Sequence, residues 1–231
     1  MWQRLAERYS RLKREVVVQQ RRPHEYFINR YYAHVIDPFF TKLAYELKMS
    51  PNAVTLLAAL TGISAGLAFG LKHWATGAIL LQLHHFLDGA DGNLARLTGR
   101  ATPFGARLDR ICDQLVRLTV FTGVAVGTGV PLWTKIGLLL TIYVDLLVVH
   151  AFVLPFAKKY PLRRARWKQW FLDRGLLPGF DIFTVYFLIS LSALTNWIDQ
   201  AVYLIIVLKN WDWLYRVWEC VKTMLLIRSQ A

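Results

Sequence analysis

The sequence predicts an all-α integral membrane protein with six transmembrane helices and an N-terminal amphipathic helix on the membrane surface. Hydrophobic residues make up 55% of the 231 residues, aromatic residues make up 14%, and the mean hydropathy is +0.31. Soluble domains of this length are less apolar. Each of six apolar segments supplies most of the roughly 20 residues that a spanning helix needs. These segments are Ala53–Leu71, Trp74–Leu87, Leu108–Leu132, Ile136–Phe156, Phe180–Trp197 and Ala201–Val221.

Lysine and arginine are concentrated in alternate connections between these segments. Of the 28 basic residues, ten precede residue 50, four lie in residues 96–110 and seven lie in residues 158–174. The other three connections hold only Lys72 and Lys135. Because basic loops stay on the cytoplasmic side, both termini are expected in the cytoplasm. We expect the inner membrane of a bacterium or archaeon as the location.

The chain is expected to divide at residue 50. Residues 1–50 would form a basic cytoplasmic arm and an interfacial helix, and residues 51–231 would form the transmembrane domain that carries the chemistry. Met1–Arg22 has no apolar core of a signal peptide, so the first spanning helix is expected to act as the targeting signal. The following segment, RPHEYFINRYYAHVIDPFFTKLAYELKM, mixes aromatic and basic residues as interfacial helices do. A solvent-exposed helix packed on the bundle is equally compatible with it.

The basic excess points to lipid and away from nucleic acid. The net charge of +13 is concentrated beside apolar segments, where anionic headgroups are the simplest counter-ions, and no folded basic module is visible. Nucleic acid is therefore not expected as a partner, whereas the lipid bilayer is. Cys112 and Cys220 have neither disulfide nor metal-site spacing, so both are expected to be reduced.

Residues 86–114, FLDGADGNLARLTGRATPFGARLDRICDQ, place four aspartates within this apolar sequence. On the first predicted helix, two aspartates and two small residues fall within an arc of about 100°. They are Asp88, Asp91, Gly92 and Ala95. This helix face is therefore acidic, and its small residues leave room for another molecule or backbone to approach closely.

The next predicted helix repeats the pattern with Gly105, Asp109 and Asp113. Gly99 and Pro103 in the intervening LTGRATP are typical turn residues. The two helices should therefore form a hairpin that brings the four carboxylates face to face.

Facing carboxylates in an apolar bundle require cations, because an unpaired buried charge costs on the order of several kcal/mol. Oxygen ligands without cysteine or histidine favour magnesium or manganese over zinc. Two ions bridged by Asp109 or a neighbour match the charge, and metal pairs are common in phosphoryl transfer. Gly92, Ala95 and Gly105 would let a nucleotide approach closely. Arg96 would give a bidentate contact to phosphate.

Simpler explanations exist for each feature taken alone. Aspartates three residues apart usually form a solvated helix face, and small residues usually mark packing of membrane helices. A divalent-cation channel or transporter would use the same carboxylates as its ion site. Transporters often have repeated halves with paired broken helices, however, and this chain has a single acidic motif. Transport also gives no reason for the accompanying Ala-Arg and glycine positions.

The spacing D-x2-D-G-x2-A-R-x8-G-x3-D-x3-D, from Asp88 to Asp113, resembles the signature of the CDP-alcohol phosphotransferase family at all eight defined positions. MSPNAVTLLAALTG, residues 49–62, resembles the start of that family's first transmembrane helix. The resemblance implies six transmembrane helices, an N-terminal surface helix and a homodimer. It also implies transfer of a substituted phosphate from a CDP-alcohol to a second alcohol, with release of CMP.

Residue roles follow from the resemblance by position. Asp88, Asp91, Asp109 and Asp113 would hold two magnesium or manganese ions. Asp113 would also be the general base, a role that spacing alone does not separate from Asp109. The residues assigned to the CDP moiety are Asn52, Thr55, Asp88, Gly92, Ala95, Arg96 and Gly105.

Further polar residues are candidates for the acceptor pocket or for support of the aspartates. They are His84, Arg107, Arg117, Lys158, Arg163 and Arg164. His84 is equally expected as a packing histidine bonded to a backbone carbonyl, and the basic run KKYPLRRARWK is better explained by topology and lipid attraction. Asp145 and His150 are polar residues in the fourth apolar segment, with mutual or interhelix pairing as the simpler explanation.

The length of the chain indicates which CDP-alcohol is expected as the donor. A compact chain with six spans is more similar to family members that transfer phosphatidyl from CDP-diacylglycerol in phospholipid biosynthesis. Choline-, ethanolamine- or inositol-phosphate-type transfer from a soluble CDP-alcohol is the alternative. The acceptor alcohol is left open.

Overall fold

The computed structural model describes residues 7, 10, 13–17 and 24–229. This part of the chain is helical, and a single bridge between Glu25 and Leu176 is its only β-type pairing. The all-α prediction is therefore confirmed. Most of the predicted basic arm, residues 1–22, lies outside the described residues.

The helices follow one another with short connections. The α1 helix continues a π-helical turn, Asn29–Ala33, and α5 continues through a second one, Val149–Val153, into α6. The helix bounds are α1 His34–Glu46, α2 Pro51–Gly70, α3 Trp74–Leu97, α4 Pro103–Gly127, α5 Leu132–Val148, α6 Leu154–Lys159, α7 Arg166–Leu172, α8 Ile182–Leu194 and α9 Ile198–Arg228.

Each of the six predicted apolar segments lies largely in one helical run. Among the described residues, two runs are long and apolar enough to cross a bilayer, Pro51–Gly70 and Leu132–Lys159, and Ile182–Leu194 is a shorter apolar helix. The α3, α4 and α9 helices have 24, 25 and 31 residues but carry several charges. The positions of the helices thus agree with the sequence, and crossing by all six stays a prediction.

Side-chain caps fix the starts of α2 and α4. The Ser50 hydroxyl accepts a hydrogen bond from Ala53 N, and the Thr102 hydroxyl accepts one from Gly105 N. Such caps satisfy amide groups that have no partner within the helix. Gly99 has a φ of +64°, which glycine adopts at little cost. The predicted hairpin between α3 and α4 is therefore present.

The backbones of α2 and α4 touch where two glycines meet. A Cβ atom at Gly123 would lie 1.9 Å from the carbonyl oxygen of Gly66, and one at Gly66 would lie 2.5 Å from that of Thr119. Only glycine permits this approach. The contact fixes the depth of α4, and with it the position of its aspartates, relative to α2.

The α1 helix packs on α3 beside the acidic segment. The rings of Phe40 and Phe86 stack with centroids 5.5 Å apart, and Asp37 is buried with its carboxylate against Gly89. A Cβ atom at Gly89 would lie 2.7 Å from that carboxylate. The α1 helix therefore packs on the bundle, a contact that the sequence alone neither required nor excluded.

Candidate active site

Three of the four motif aspartates converge between α3 and α4. Asp88, Asp109 and Asp113 each offer a carboxylate oxygen, and these oxygens all lie within 4.8 Å of one another. All three side chains are half-buried. Carboxylates this close need positive charge between them. The hairpin therefore creates a site suited to a cation.

Asp91 lies outside this group of three, one turn along α3 from Asp88. It is buried, and it accepts a hydrogen bond of 2.5 Å from the Thr55 hydroxyl of α2. Thr55 also lies 3.2 Å from the carbonyl oxygen of Pro51. The structure therefore places Asp91 on the α2 side of the acidic face.

The residues assigned to the CDP moiety surround the same hairpin. Asn52, at the start of α2, lies beside Gly105, where an added Cβ atom would be 3.0 Å from the Asn52 Oδ1 atom. A Cβ atom at Gly92 would lie 3.4 Å from the guanidinium of Arg96, and Arg96 donates a 2.7 Å hydrogen bond to the Asn93 Oδ1 atom. Ala95 is half-buried. Three helices thus meet at this end of the acidic face.

His84 makes the contact expected of a packing histidine. It is buried, and its Nδ1 atom lies 3.0 Å from the backbone carbonyl oxygen of Ala58 on α2. Its ring lies 6.0 Å from that of Tyr186. His84 therefore links α2, α3 and α8 beneath the aspartates.

Tyr186 is a site residue that the motif does not reveal. It lies on α8, is buried, and interacts electrostatically with Asp88, Asp113 and Arg117. Arg117 donates a 3.1 Å hydrogen bond to Gln114 on its own helix. A tyrosine inside an apolar segment was the available signal, because a buried hydroxyl calls for polar surroundings. The α8 helix thus closes one side of the site.

The remaining acceptor candidates lie on the protein surface. Arg107, Lys158, Arg163 and Arg164 are exposed, and the main-chain amide of Arg163 donates to Thr223 Oγ1 at 2.9 Å. No described contact joins these four side chains to the aspartates.

Asp145 and His150 are not partners of each other. Asp145 pairs with Lys209 of α9 at 2.8 Å, whereas His150 Nδ1 lies 2.9 Å from the Leu146 carbonyl oxygen of its own helix. The interhelix pairing that the sequence offered as the simpler explanation is what the structure contains for Asp145.

Cys112 and Cys220 are both free thiols and buried.

Residues 48–218 match the family described as CDP-alcohol phosphatidyltransferase, and the match includes the whole acidic hairpin. The chain belongs to this family. The archaetidylinositol phosphate synthase of Pyrococcus horikoshii is 35% identical over 88 residues, which cover 38% of this chain and 46% of that protein. The phosphatidylinositol phosphate synthase of Corynebacterium glutamicum is 38% identical over 92 residues, 38% of this chain and 41% of that one. The matches span less than half the length of these relatives.

Solved structures of the family share the fold. A crystal structure of Mycobacterium tuberculosis phosphatidylinositol phosphate synthase with CDP-DAG bound superposes with a TM-score of 0.55 at 19% identity, covering 82% of this chain and 92% of that one. The same enzyme in complex with manganese and citrate gives a TM-score of 0.55 at 18% identity, covering 80% and 88%. The helical arrangement described above is therefore shared with this phosphatidylinositol phosphate synthase.

Proposed function

We propose that the protein transfers a phosphatidyl group from CDP-diacylglycerol to the hydroxyl of an alcohol acceptor in phospholipid biosynthesis and releases CMP. The observation that carries this proposal is the convergence of Asp88, Asp109 and Asp113 within 4.8 Å in a member of this family. Two relatives make inositol phosphate lipids, and a structural relative binds CDP-DAG. We therefore propose a phosphorylated polyol of the inositol phosphate class as the acceptor.

The donor set fits magnesium or manganese. Every group in it is a carboxylate, and no histidine or cysteine contributes among the described residues. We propose that Asp88, Asp91, Asp109 and Asp113 hold two such ions, and a structural relative binds manganese. Bound divalent ions supply charge stabilisation to the transferred phosphate and ease departure of CMP.

The protein side chains supply the remaining chemistry. Asp113 would accept the proton of the attacking hydroxyl, since that hydroxyl is a poor nucleophile until its proton is removed. Asp109 is near enough to share this role. The surface around Arg96 and Gly92 would hold the CDP moiety. Its other members would be Asn52, Thr55, Asp88, Ala95 and Gly105.

The acceptor would enter from the side of α8. Arg117 and Tyr186 both interact electrostatically with Asp113 and would orient the incoming hydroxyl and its phosphate. His84, whose ring contacts that of Tyr186, would support the position of Tyr186. The exposed basic residues would attract an anionic acceptor towards the site; they are Arg107, Lys158, Arg163 and Arg164.

We propose that all six helical runs cross the membrane, with the site and both termini on the cytoplasmic side of a bacterial or archaeal inner membrane. The division at residue 50 would separate the arm and surface helix from the catalytic domain. Supporting this, α1 carries an exposed apolar stripe on its outer face at intervals of four residues. The stripe comprises Val35, Phe39 and Leu43, and Leu47 continues it directly after the helix ends. We propose a homodimer as the assembly.

The deciding experiment is CMP release from purified protein in lipid vesicles. Donors would include CDP-diacylglycerol, its ether analogue and soluble CDP-alcohols, each tested against inositol phosphate, glycerol phosphate, serine and diacylglycerol. We expect metal-dependent release with a CDP-linked lipid donor, and release about 100-fold slower or less with Asp113→Asn. Release only with soluble CDP-alcohols would reject the donor assignment. Metal flux into vesicles without CMP release would instead indicate a cation transporter.

A further inference from the structure

The segment from Lys158 to Arg174 is strongly basic on its surface. It contains seven lysines and arginines but one acidic residue, Asp173. Six of the basic side chains are exposed and Lys168 is buried. Asp173 accepts a 2.7 Å hydrogen bond from Gln169 rather than pairing with these cations. The positive charge of this segment therefore has almost no counter-charge within it.

The buried lysine fixes the rotation of the short helix α7. Lys168 forms an ion pair with Glu219 of α9, and both side chains are buried. Burial lowers the pKa of the Lys168 ammonium, and Glu219 opposes that change. Leu172, one turn later, is buried on the same face. Because breaking a buried pair is strongly unfavourable, this face of α7 stays against the bundle.

The opposite faces of α7 present aromatic rings beside the cations. Trp167 and Trp170 are each 51% exposed. At about 100° per residue, Trp170 points away from the face that holds Lys168. Trp167 lies at the side of that face, and its half-exposed ring packs against Tyr215 of α9 with centroids 5.6 Å apart. The Arg174 guanidinium stacks over the Trp170 ring at 3.6 Å from its centre. A cation and an aromatic ring are thus held together on the outer surface.

The position of α7 in the chain places this surface at headgroup level. It follows the run Leu132–Lys159, whose 28 residues extend about 42 Å at 1.5 Å per residue. The hydrocarbon core is about 30 Å thick, so the lysine end of this run would emerge among the headgroups. Tryptophan prefers that depth, because its ring is apolar and its N–H is polar.

We propose that the exposed side of α7 is a docking surface for the headgroups of anionic phospholipids, and we name it the α7 surface. Its members are Lys158, Lys159, Arg163, Arg164, Arg166, Trp167, Trp170 and Arg174. Arginine matches phosphate oxygens in bidentate fashion, and the excess positive charge disfavours the ammonium of a zwitterionic headgroup. The half-exposed tryptophans favour a lipid over a soluble phosphate ester, which has no apolar part to cover them. This surface is distinct from the aspartate site, and the inference does not depend on the proposed reaction.

The test measures lipid preference by fluorescence quenching. The full chain is reconstituted in bilayers in which brominated phosphatidylglycerol or brominated phosphatidylcholine replaces its unbrominated form at graded mole fractions. The fluorescence of the two tryptophans on the α7 surface is obtained as the difference in fluorescence between the native chain and the variant Trp167→Phe/Trp170→Phe. We expect phosphatidylglycerol to be preferred at these two tryptophans by about fivefold or more, since each cation near an anionic surface contributes roughly that factor.

Two charge variants make the test specific. Arg163→Gln/Arg164→Gln/Arg166→Gln should abolish the preference, and Lys48→Gln/Lys72→Gln/Lys135→Gln, which removes the same charge elsewhere, should retain it. If the arginine triple variant does not fold, Arg166→Gln alone should still lower the preference, by about twofold or more. Equal quenching by both lipids, or equal loss in both triple variants, would overturn the proposal. Displacement of the lipid by millimolar inositol phosphate or inorganic phosphate would also overturn it and assign the surface to a soluble phosphate ester.

Discussion

The Thr55 hydroxyl donates a 2.5 Å hydrogen bond to the Asp91 carboxylate and so ties the first turns of α2 to the acidic face of α3. Both groups are buried, so water cannot replace either partner. A second helix thereby determines the orientation of a proposed metal ligand. Hydrogen bonds behind a metal ligand commonly set its orientation and basicity.

Thr55→Val removes this hydrogen bond while keeping the side-chain shape. We expect magnesium affinity to fall about tenfold or more, because the Asp91 carboxylate loses its donor and its fixed direction. Thr55→Ser keeps the hydroxyl and should stay close to the native protein. The measurement is the magnesium concentration that gives half-maximal CMP release. Equal behaviour of the valine and serine variants would show that the hydrogen bond does not orient Asp91.

Metal removal should abolish turnover and also lower thermal stability. A cation bound only by the folded protein at 100 times its dissociation constant stabilises it by about 2.7 kcal/mol. We therefore expect magnesium or manganese to raise the unfolding temperature of the chelated protein. Asp109→Asn should lose most of this increase. Full turnover in excess chelator would contradict a metal-dependent reaction.

The contact between Gly66 and Gly123 predicts a size limit at the crossing of α2 and α4. Gly123→Ala would place a methyl group 1.9 Å from the carbonyl oxygen of Gly66. This oxygen belongs to the backbone, so no side-chain rotation can relieve the overlap. We expect a loss of about 3 kcal/mol from this overlap. Gly137→Ala in α5 is the matched control, since its nearest neighbour would be 3.8 Å away. Thermal unfolding in detergent compares the two, and similar stability for both would reject the close contact.

The local parts of the site could be predicted from the sequence, because helical periodicity alone places Asp88 with Asp91 and Asp109 with Asp113 on common faces. Turn residues at Gly99 and Pro103 then predict the hairpin. Periodicity does not give the distances between helices, however. Asp91 lies outside the group of the other three aspartates and accepts a hydrogen bond from Thr55, and only the packed structure shows both facts.

Contacts between distant parts of the chain were the least predictable. Tyr186 of α8 interacts electrostatically with Asp88 and Asp113, although it follows both by more than about 70 residues, and no spacing rule connects it to them. The Lys168 and Glu219 ion pair is similar, since the basic run around Lys168 indicates an exposed surface throughout. A single buried member of a charged run becomes visible only when the partner helix is in place.

Comparison of Asp113→Asn with Asp88→Asn separates the general base from the metal ligands. Both changes remove one negative charge from the same group of three carboxylates. Only Asp113 is proposed to accept the proton of the attacking hydroxyl. Asp88→Asn should therefore weaken metal and CDP-alcohol binding together. Asp113→Asn should keep much of that binding while the chemical step slows by about 100-fold or more.

The measurement pairs CDP-alcohol affinity at saturating magnesium with single-turnover CMP release for each variant. Some loss of metal affinity is expected for Asp113→Asn, because this carboxylate is also a proposed ligand. Raising the magnesium concentration should restore binding in that variant but leave the chemical step slow, since an amide cannot take up the proton. Near-normal turnover of Asp113→Asn, or its complete rescue by metal, would show that Asp113 is a ligand only and that Asp109 or water removes the proton.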